Sequence, residues 1–278
     1  MAPVSTARRT GRLGAAAIVI LVTIYYVLPL ISMARFSFQF IPMAALDATN
    51  LFERWTFQGL REAFSDPEFR ESLWLSTRLA MAAIGINLGL LLPTALWSHL
   101  RTPNLRPLVE GVTLLPWVVP PIALVVGVAA TFRGRATWFL ASDFSLAPFY
   151  AIIAMPFTYR ALDAGLRAID LKTLTEAARN LGAGWWTALI RVVMPNIRTA
   201  IIGSSFLTAT VVLGEFTIAV LLLKQTFPTY LAEYQRSEPQ GGMALALVAM
   251  FATTVLLMFI SAIFRRRSGG RLEATRIA

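Results

Sequence analysis

The sequence predicts an all-α integral membrane protein with six transmembrane helices, and three observations carry this prediction. Of the 278 residues, 56% are hydrophobic and 14% are charged, and the mean hydropathy is +0.64. Ordinary soluble domains contain about 45–50% apolar and about 25% charged residues. The apolar residues also gather into runs that are long enough for a helix to cross a bilayer, which takes about 20 residues.

Six such runs divide the chain, which we interpret as one transmembrane domain over residues 1–278. In order, they cover about residues 15–34, 73–97, 108–132, 148–166, 199–223 and 243–264. The first run follows Arg8, Arg9 and Arg12 and ends near Ser32-Met33-Ala34, so a cleaved signal peptide is an alternative for it. Its length and the five runs that follow favour a first transmembrane helix, because the apolar core of a signal peptide has about 7–15 residues.

The distribution of charge predicts the orientation in the membrane. If the N-terminus is cytoplasmic, most of the 25 basic residues fall in inner segments, whereas most of the 15 acidic residues fall elsewhere. Because cytoplasmic loops carry an excess of Lys and Arg, we expect both termini inside. The net charge of +10 is then a topology signal and does not indicate a nucleic-acid partner. The outer segment 35–72 is expected to form a small folded cap.

The largest inner connection, residues 168–198 between the fourth and fifth runs, is predicted to be a helix–turn–helix. Residues 173–176, Thr-Leu-Thr-Glu, fit a capping box at the start of its first helix. A thin apolar face follows at helical spacing, formed by Leu174, Ala177, Ala178 and Leu181. A face with so little side-chain volume predicts close packing against protein, whereas an interfacial helix on lipid requires bulky apolar residues.

The turn of this hairpin and its second helix are also visible in the sequence. Gly182 and Gly184 are expected to break the first helix. Trp185 and Trp186 then begin a second helix, which Pro195 is expected to end. The tryptophan pair is suited to anchoring this helix at the bilayer interface.

Several chemistries are excluded because the residues that they need are absent. The chain has no cysteine and no G-x-x-x-x-G-K-[ST], G-x-S-x-G or H-E-x-x-H motif. The single histidine, His99, is interpreted as a solvated or interfacial side chain at the end of a run. We therefore expect no enzymatic activity, no metal site and no ATP hydrolysis by this chain itself.

The hairpin contains a spaced motif: Glu-Ala-Ala, three residues, Gly, nine residues, then Val-x-Met-Pro. It resembles the EAA-x3-G-x9-I-x-L-P signature of the membrane permease subunits of binding-protein-dependent ABC importers, with Val192 and Met194 as conservative departures. The six runs and the position of the loop extend this resemblance over nearly the whole chain. The resemblance implies that the loop couples to a separate ATPase through Glu176, Ala177, Ala178, Gly182 and Pro195.

The same resemblance implies the partners and the setting. It implies a second permease subunit, identical or paralogous, two ATPase subunits that bind ATP and Mg²⁺, an extracytoplasmic substrate-binding protein and the lipid of a bacterial inner membrane. Among the permeases of this family, the chain looks most like the spermidine/putrescine type, with iron(III), phosphonate and thiamine permeases as alternatives. A secondary transporter or channel that works without ATP is the alternative from another class.

Three features are candidates for the translocation path or its gate. In the third run, Pro116, Pro120 and Pro121 surround Trp117 and predict a kinked or broken span, a feature that often lines a transport path. Glu215 is expected within the fifth run, where a carboxylate either contacts a cationic substrate, lines an outer gate or serves a structural role.

Asn87 in the second run is a lesser candidate for the path. Its amide is expected to find a hydrogen-bond partner on another helix, because an unpaired amide is costly in hydrocarbon.

Overall fold

The computed structural model describes residues 5–39, 55–134 and 136–274, and these are helical apart from turns and one isolated antiparallel bridge between Gln39 and Trp55. The all-α prediction is confirmed for this part of the chain. Within the predicted outer cap, residues 40–54 lie outside the described residues. The α-helices are α1 (Ser5–Phe38), α2 (Gln58–Ser65), α3 (Pro67–Leu100), α4 (Arg106–Val118), α5 (Pro121–Phe132), α6 (Thr137–Ala141), α7 (Leu146–Arg167), α8 (Leu171–Asn180), α9 (Trp185–Ala188), α10 (Met194–Leu213), α11 (Thr217–Leu221), α12 (Phe227–Ser237) and α13 (Pro239–Ala274).

The chain divides into two compact units. The first joins the described residues before Pro67 to those after Tyr230. In this unit α13 packs against α1 and α2. Gly59 and Gly241 permit close packing of α2 on α13, since a Cβ atom at Gly59 would lie 3.0 Å from the Gly241 Cα atom. Gln240 adds a side-chain hydrogen bond of 3.1 Å to the Gln39 carbonyl.

The second unit, Pro67–Tyr230, is built on three helices, α3, α7 and α10, which pack against one another. Two apolar clusters form its core. One lies towards the N-terminal end of α7 and includes Leu79, Val125, Leu146, Val212 and Ile218. The other lies towards the C-terminal end of α7 and includes Leu91, Leu162, Leu166, Leu171 and Val193. We call the end of this unit that carries α8 the hairpin end.

Between the two clusters, a chain of polar side chains ties the three central helices together. The Asn87 amide donates to the Thr158 hydroxyl at 3.3 Å, and the Thr158 and Thr208 hydroxyls are 2.7 Å apart. All three side chains are fully buried. The expected inter-helix partner of Asn87 is therefore confirmed, and hydrogen bonds of this kind contribute on average about 0.6 kcal/mol each in a membrane protein.

The described residues contain four helices that are long and apolar enough to cross a membrane, or five if one sharply bent pair counts as a single span. The four are Gly14–Phe38, Pro67–Leu100, Trp185–Leu213 and Pro239–Leu256, and the bent pair is Pro103–Val118 with Pro121–Phe132. The four helices contain or overlap the first, second, fifth and sixth predicted runs, and the bent pair corresponds to the third. The membrane class is supported, and the number six stays a prediction.

The helices of the fourth and fifth runs have features that their apolar length alone does not predict. The fourth corresponds to α7, more than half of whose residues are buried. Because this helix packs against α3, α4 and α10, it can carry Asp163, whose carboxylate is paired within the protein. The fifth run was predicted over about 199–223, but its helical segment extends from Trp185 to Leu213.

The crossing of α7 and α10 depends on Gly165, which yields a first prediction. A Cβ atom at Gly165 would overlap the Cβ atom of Ala200. We expect Gly165→Ala to lower the free energy of unfolding by about 1–3 kcal/mol, the usual cost of overpacking. The measurement is an SDS titration of the purified protein in mixed micelles. Adding Ala200→Gly should restore part of the loss, because it removes the obstructing methyl group.

Gly203→Ala is the matched control on α10, since a Cβ atom there meets nothing within 4 Å. It is expected to be neutral or slightly stabilising, because alanine restricts the unfolded chain more than glycine does. Equal midpoints for Gly165→Ala and Gly203→Ala would contradict the close-packing interpretation.

Candidate functional site

The first arm of the hairpin is α8, and it begins earlier than the sequence indicates. Asp170 is its N-cap residue: its carboxylate accepts hydrogen bonds from the Thr173 hydroxyl at 2.7 Å and from the Thr173 N–H at 3.2 Å. These bonds lower the pKa of Asp170 below its usual value. The cap is thus complete at neutral pH and is lost only as the pH falls through the lowered pKa. The predicted capping box at residues 173–176 is wrong, because Thr173 already lies inside the first turn.

The reversal at Gly182 is confirmed. Gly182 has a φ angle of +83°, the left-handed conformation that glycine adopts without steric cost. The Ala183 N–H bonds to the Ala178 carbonyl at 3.0 Å, and the Gly182 N–H bonds to the Arg179 carbonyl at 2.9 Å. This pair of bonds is the Schellman pattern of a helix C-terminus, so α8 ends in a defined turn.

The second arm does not end at Pro195, and that prediction is wrong. The arm begins with α9, passes through a π-helical segment at Leu189–Val193 and continues as α10. The Met194 N–H bonds to the Leu189 carbonyl, five residues back. Pro195 cannot donate a backbone bond and its ring crowds the preceding turn. The wider π turn just before it accommodates the ring, so the helix continues without a break.

The two faces of α8 have different environments. Leu171, Thr175 and Ala178 are buried against the chain's own helices. Ala177 and Glu176 are exposed, and Glu176 has only a loose pair with Lys172 at 4.0 Å. The predicted apolar face is therefore split between two sides of α8: Ala178 packs against the rest of the chain, whereas Ala177 is exposed.

The tip and second arm of the hairpin expose large apolar side chains. Leu181 is 90% exposed, Trp186 is 70% exposed and Ile190 is 58% exposed. Pro195 is exposed on the same arm. We call Ala177 and Leu181 the hairpin face, because Trp186 and Ile190 belong to the segment Trp185–Leu213, which is apolar enough to cross a membrane. An apolar surface of this kind beside a well-ordered turn is typical of an interaction site.

At the base of the hairpin lies a charge cluster that sequence reasoning missed. The Asp163 carboxylate is within 2.7 Å of His99 Nε2, 3.0 Å of Arg106 Nη2 and 2.7 Å of Arg167 Nη2. His99 is therefore not a solvated side chain, because Asp163 holds it in a buried position. We call these four residues the Asp163 cluster. The only sequence signal was the i,i+4 spacing of Asp163 and Arg167, since the other partners lie on α3 and α4.

The predicted break in the third run is confirmed. The segment 103–118 and α5 meet at an angle of 88°, with Val119 and Pro120 in extended conformations between α4 and α5. Pro121 is the first residue of α5. Pro116 lies inside α4. The Trp117 indole N–H donates to the Ile153 carbonyl on α7 at 3.0 Å, which attaches the end of α4 to the central helices.

Glu215 lies at a second break, between α10 and α11. Both of its carboxylate oxygens accept from the Ile218 N–H, each at 3.1 Å. The carboxylate therefore caps the short helix α11, and α11 packs against α5. The two broken helices meet through these short segments. Asn87, by contrast, has no exposed surface, so it does not line any open surface of the described chain in this conformation.

This combination of apolar helices, two broken helices and an exposed hairpin defines a polytopic helical membrane protein of the kind that forms the membrane subunits of transporters. More narrowly, the chain belongs to the family of binding-protein-dependent transport system inner membrane components, whose sequence profile matches residues 85–269. The matched range includes the hairpin, both helix breaks and the Asp163 cluster.

Individual relatives are consistent with this family. The chain is 26% identical over 229 residues to the sulfate transport system permease protein CysW of Synechocystis sp., covering 75% of this chain and 81% of the relative. It is 27% identical over 232 residues to the molybdenum transport system permease protein ModB of Escherichia coli, covering 74% and 98%. It is 29% identical over 171 residues to the chloroplastic sulfate permease 2 of Chlamydomonas reinhardtii, covering 56% and 44%.

These matches decide several expectations. The chain is a membrane-embedded ABC importer permease, and its relatives are transport proteins, not enzymes. A component of a binding-protein-dependent system works with an ATPase and a substrate-binding protein, so these partner classes are supported. The names of the relatives give sulfate and molybdenum as cargo. They do not support the polyamine expectation.

Proposed function

We propose that this chain is the permease subunit of an ABC importer that carries a tetrahedral oxyanion of the sulfate or molybdate class. The relatives that it matches over about three quarters of its length are permeases for sulfate and molybdenum. Glu215 is compatible with an anionic cargo, because its carboxylate caps α11 and is already engaged by a backbone N–H. These bonds give the Glu215 carboxylate a structural role within the chain, so it does not by itself indicate a cationic cargo.

The proposed arrangement in the membrane has six spans in one transmembrane domain, with α7 as the fourth span and both termini in the cytoplasm. The charge distribution supports it through the excess of Lys and Arg in the segments assigned to the inside. The inner membrane named in the family description supports a bacterial cytoplasmic membrane as the location. The hairpin then faces the cytoplasm.

The proposed coupling element is the hairpin, and its exposed apolar face is the observation that carries this function. Ala177 leaves room for close approach, Leu181 offers a large side chain, and the αL turn at Gly182 holds the tip in place. We assign Glu176, Ala177, Gly182 and Pro195 to the surface that meets the ATPase. Ala178 contributes from within, by packing α8 onto its own chain.

The proposed complex contains a second permease subunit, identical or paralogous, two ATPase subunits and an extracytoplasmic binding protein. ATP and Mg²⁺ bind to the ATPase subunits, and this chain binds no cofactor. The proposed path runs beside the helix breaks at Pro116–Pro121 and Glu215, since broken helices with free backbone groups often line transport paths. Asn87 acts in the packing of the central helices that support this path.

Reconstitution tests the function directly. The permease is purified with its ATPase, any second permease and the binding protein, inserted into liposomes that contain ATP, and supplied with radiolabelled sulfate, molybdate or putrescine. We expect ATP-dependent uptake of sulfate or molybdate and no uptake of putrescine. Uptake of putrescine would contradict the substrate class, and anion uptake without ATP would indicate a secondary transporter or channel.

A further inference from the structure

Polar side-chain contacts run along the seam between α4 and α7. The two helices run antiparallel, and polar contacts bridge them at three levels. From the hairpin end upward, these are Arg106 Nη2 to Asp163 Oδ1 at 3.0 Å, Arg160 Nε to Glu110 Oε1 at 3.1 Å, and Trp117 Nε1 to the Ile153 carbonyl at 3.0 Å. The seam therefore leads from the break after α4 to the hairpin end.

The middle level is the exposed one. The Arg160 side chain is 60% exposed and the Glu110 side chain is 38% exposed. Arg160 lies seven residues before the end of α7 at Arg167, which is about 10 Å along a helix. An exposed arginine at this depth is unfavourable against lipid tails, and ionisable residues at such positions usually face water or protein. The exposed side of the seam is thus unsuited to lipid.

The guanidinium of Arg160 is only partly occupied. It donates from Nε to Glu110, and its two terminal nitrogens contact no partner among the described residues. A planar guanidinium with free N–H groups matches two oxygens of a tetrahedral oxyanion, and such charge-assisted bonds are about twice as strong as neutral ones. Glu110 neutralises the arginine when no anion is present. A path for a cation would have no use for this pair, because a cation does not bind the guanidinium of Arg160.

We propose that the exposed side of the α4–α7 seam is the hairpin-side part of the anion path and that Arg160 is its anion-contacting residue. An anion that passes the helix break near Trp117 meets the free terminal nitrogens of Arg160. Glu110 accepts only from Nε, so the two terminal nitrogens stay available to the anion. This inference rests on the proposed oxyanion function and adds a residue that selects for negative charge.

Transport by variants tests the role of Arg160. In the reconstituted complex, Arg160→Gln is expected to reduce sulfate or molybdate uptake at least about tenfold, as for loss of one charge-assisted hydrogen bond. Arg160→Lys should retain a larger fraction, because the charge remains. Arg70→Gln, which removes an exposed arginine from α3, is the matched control and should transport like the wild type.

Glu110→Gln separates this role from a structural ion pair. If the ion pair only stabilises the fold, Arg160→Gln and Glu110→Gln should lose equal fractions of anion uptake. If Arg160 contacts the anion, Glu110→Gln should retain most of the uptake. Equal losses, normal uptake by Arg160→Gln, or failure of Arg160→Gln to assemble with the ATPase would each overturn the proposal. A wild-type complex that moves neither anion would instead overturn the substrate class.

The absence of native cysteine permits a second readout that does not depend on transport. In the assembled complex, Arg160→Cys is expected to react with the water-soluble anionic reagent sulfonatoethyl methanethiosulfonate, because the proposed path admits water and anions. Ile20→Cys on the apolar helix α1 is the control and should react slowly or not at all. An unreactive thiol in the Arg160→Cys variant, or a disulfide between two copies of that variant, would show that lipid or another subunit covers the seam. Either result would overturn the proposal.

Discussion

Leu181→Asp is expected to abolish recovery of the ATPase subunit with the permease while leaving the permease folded. Leu181 is 90% exposed at the tip of the hairpin, so aspartate there costs the isolated chain little. In a docked complex, the change removes about 1.5–3 kcal/mol of apolar burial and places an unpaired carboxylate in the interface. The dissociation constant should rise at least about a hundredfold. The measurement is an affinity pull-down from detergent-solubilised membranes.

The chain supplies a matched control for this variant. Leu223 is 91% exposed beyond the far end of α10, and its φ angle of 55° suits aspartate better than leucine. Leu223→Asp should retain the ATPase at the wild-type level. If the two aspartate variants retained equal amounts of ATPase, the tip of the hairpin would not be part of the docking surface.

The adjacent alanines provide a further comparison on the same helix. Ala177→Phe places a ring on the exposed side of α8, so it should weaken ATPase binding without changing the unfolding midpoint. Ala178→Phe forces the same ring into the chain's own packing, because Ala178 is only 8% exposed, so it should lower the midpoint. The reverse result would mean that the orientation of α8 is different in the assembled protein.

Asp163→Asn should destabilise the permease by about 3 kcal/mol, the lower part of the range for breaking a buried ion pair. Asp163 is 11% exposed and accepts from three cationic or potentially cationic side chains on three helices. The neutral amide leaves Arg106 and Arg167 facing each other without a counter-charge. The loss stays near the low end of that range because Arg167 is largely exposed and can be solvated by water. The measurement is the SDS unfolding midpoint in mixed micelles.

Glu110→Gln is the control for this second prediction. It also removes a carboxylate from an arginine on the α4–α7 seam, but both partners are substantially exposed. Exposed pairs contribute about 0–1 kcal/mol, so a small shift is expected. An Asp163→Asn protein as stable as Glu110→Gln would show that the Asp163 cluster does not hold the helices together.

The local features of the site were predictable wherever one residue type imposes a conformation. Gly182 is such a case, because only glycine readily adopts the left-handed turn that ends α8. The prolines near Trp117 are another, since two adjacent prolines at 120–121 interrupt any helix. Pro195 shows the limit of this reasoning: a single proline is tolerated when a neighbouring π turn makes room for it.

Competition between equally plausible local signals explains the error at the start of α8. Asp170 and Thr173 are both good N-cap residues, and the sequence around either one fits a helix start. The chain uses Asp170, which brings Leu171 into the apolar cluster at the hairpin end. Burial of that leucine is a long-range interaction, so no local pattern indicates which of the two residues forms the cap.

The amino-acid order was sufficient for the helical membrane class, the importer family and the place of the hairpin in the chain, because apolar run length, charge asymmetry and a spaced motif are all one-dimensional signals. Three-dimensional packing was needed to determine which side of each helix faces the rest of the protein. In a membrane the lipid and the protein interior are similarly apolar, so hydrophobicity alone does not reveal which side of a helix faces its neighbours. Only the packed helices separate Ala177 from Ala178, bury His99 and bring Arg160 beside Glu110.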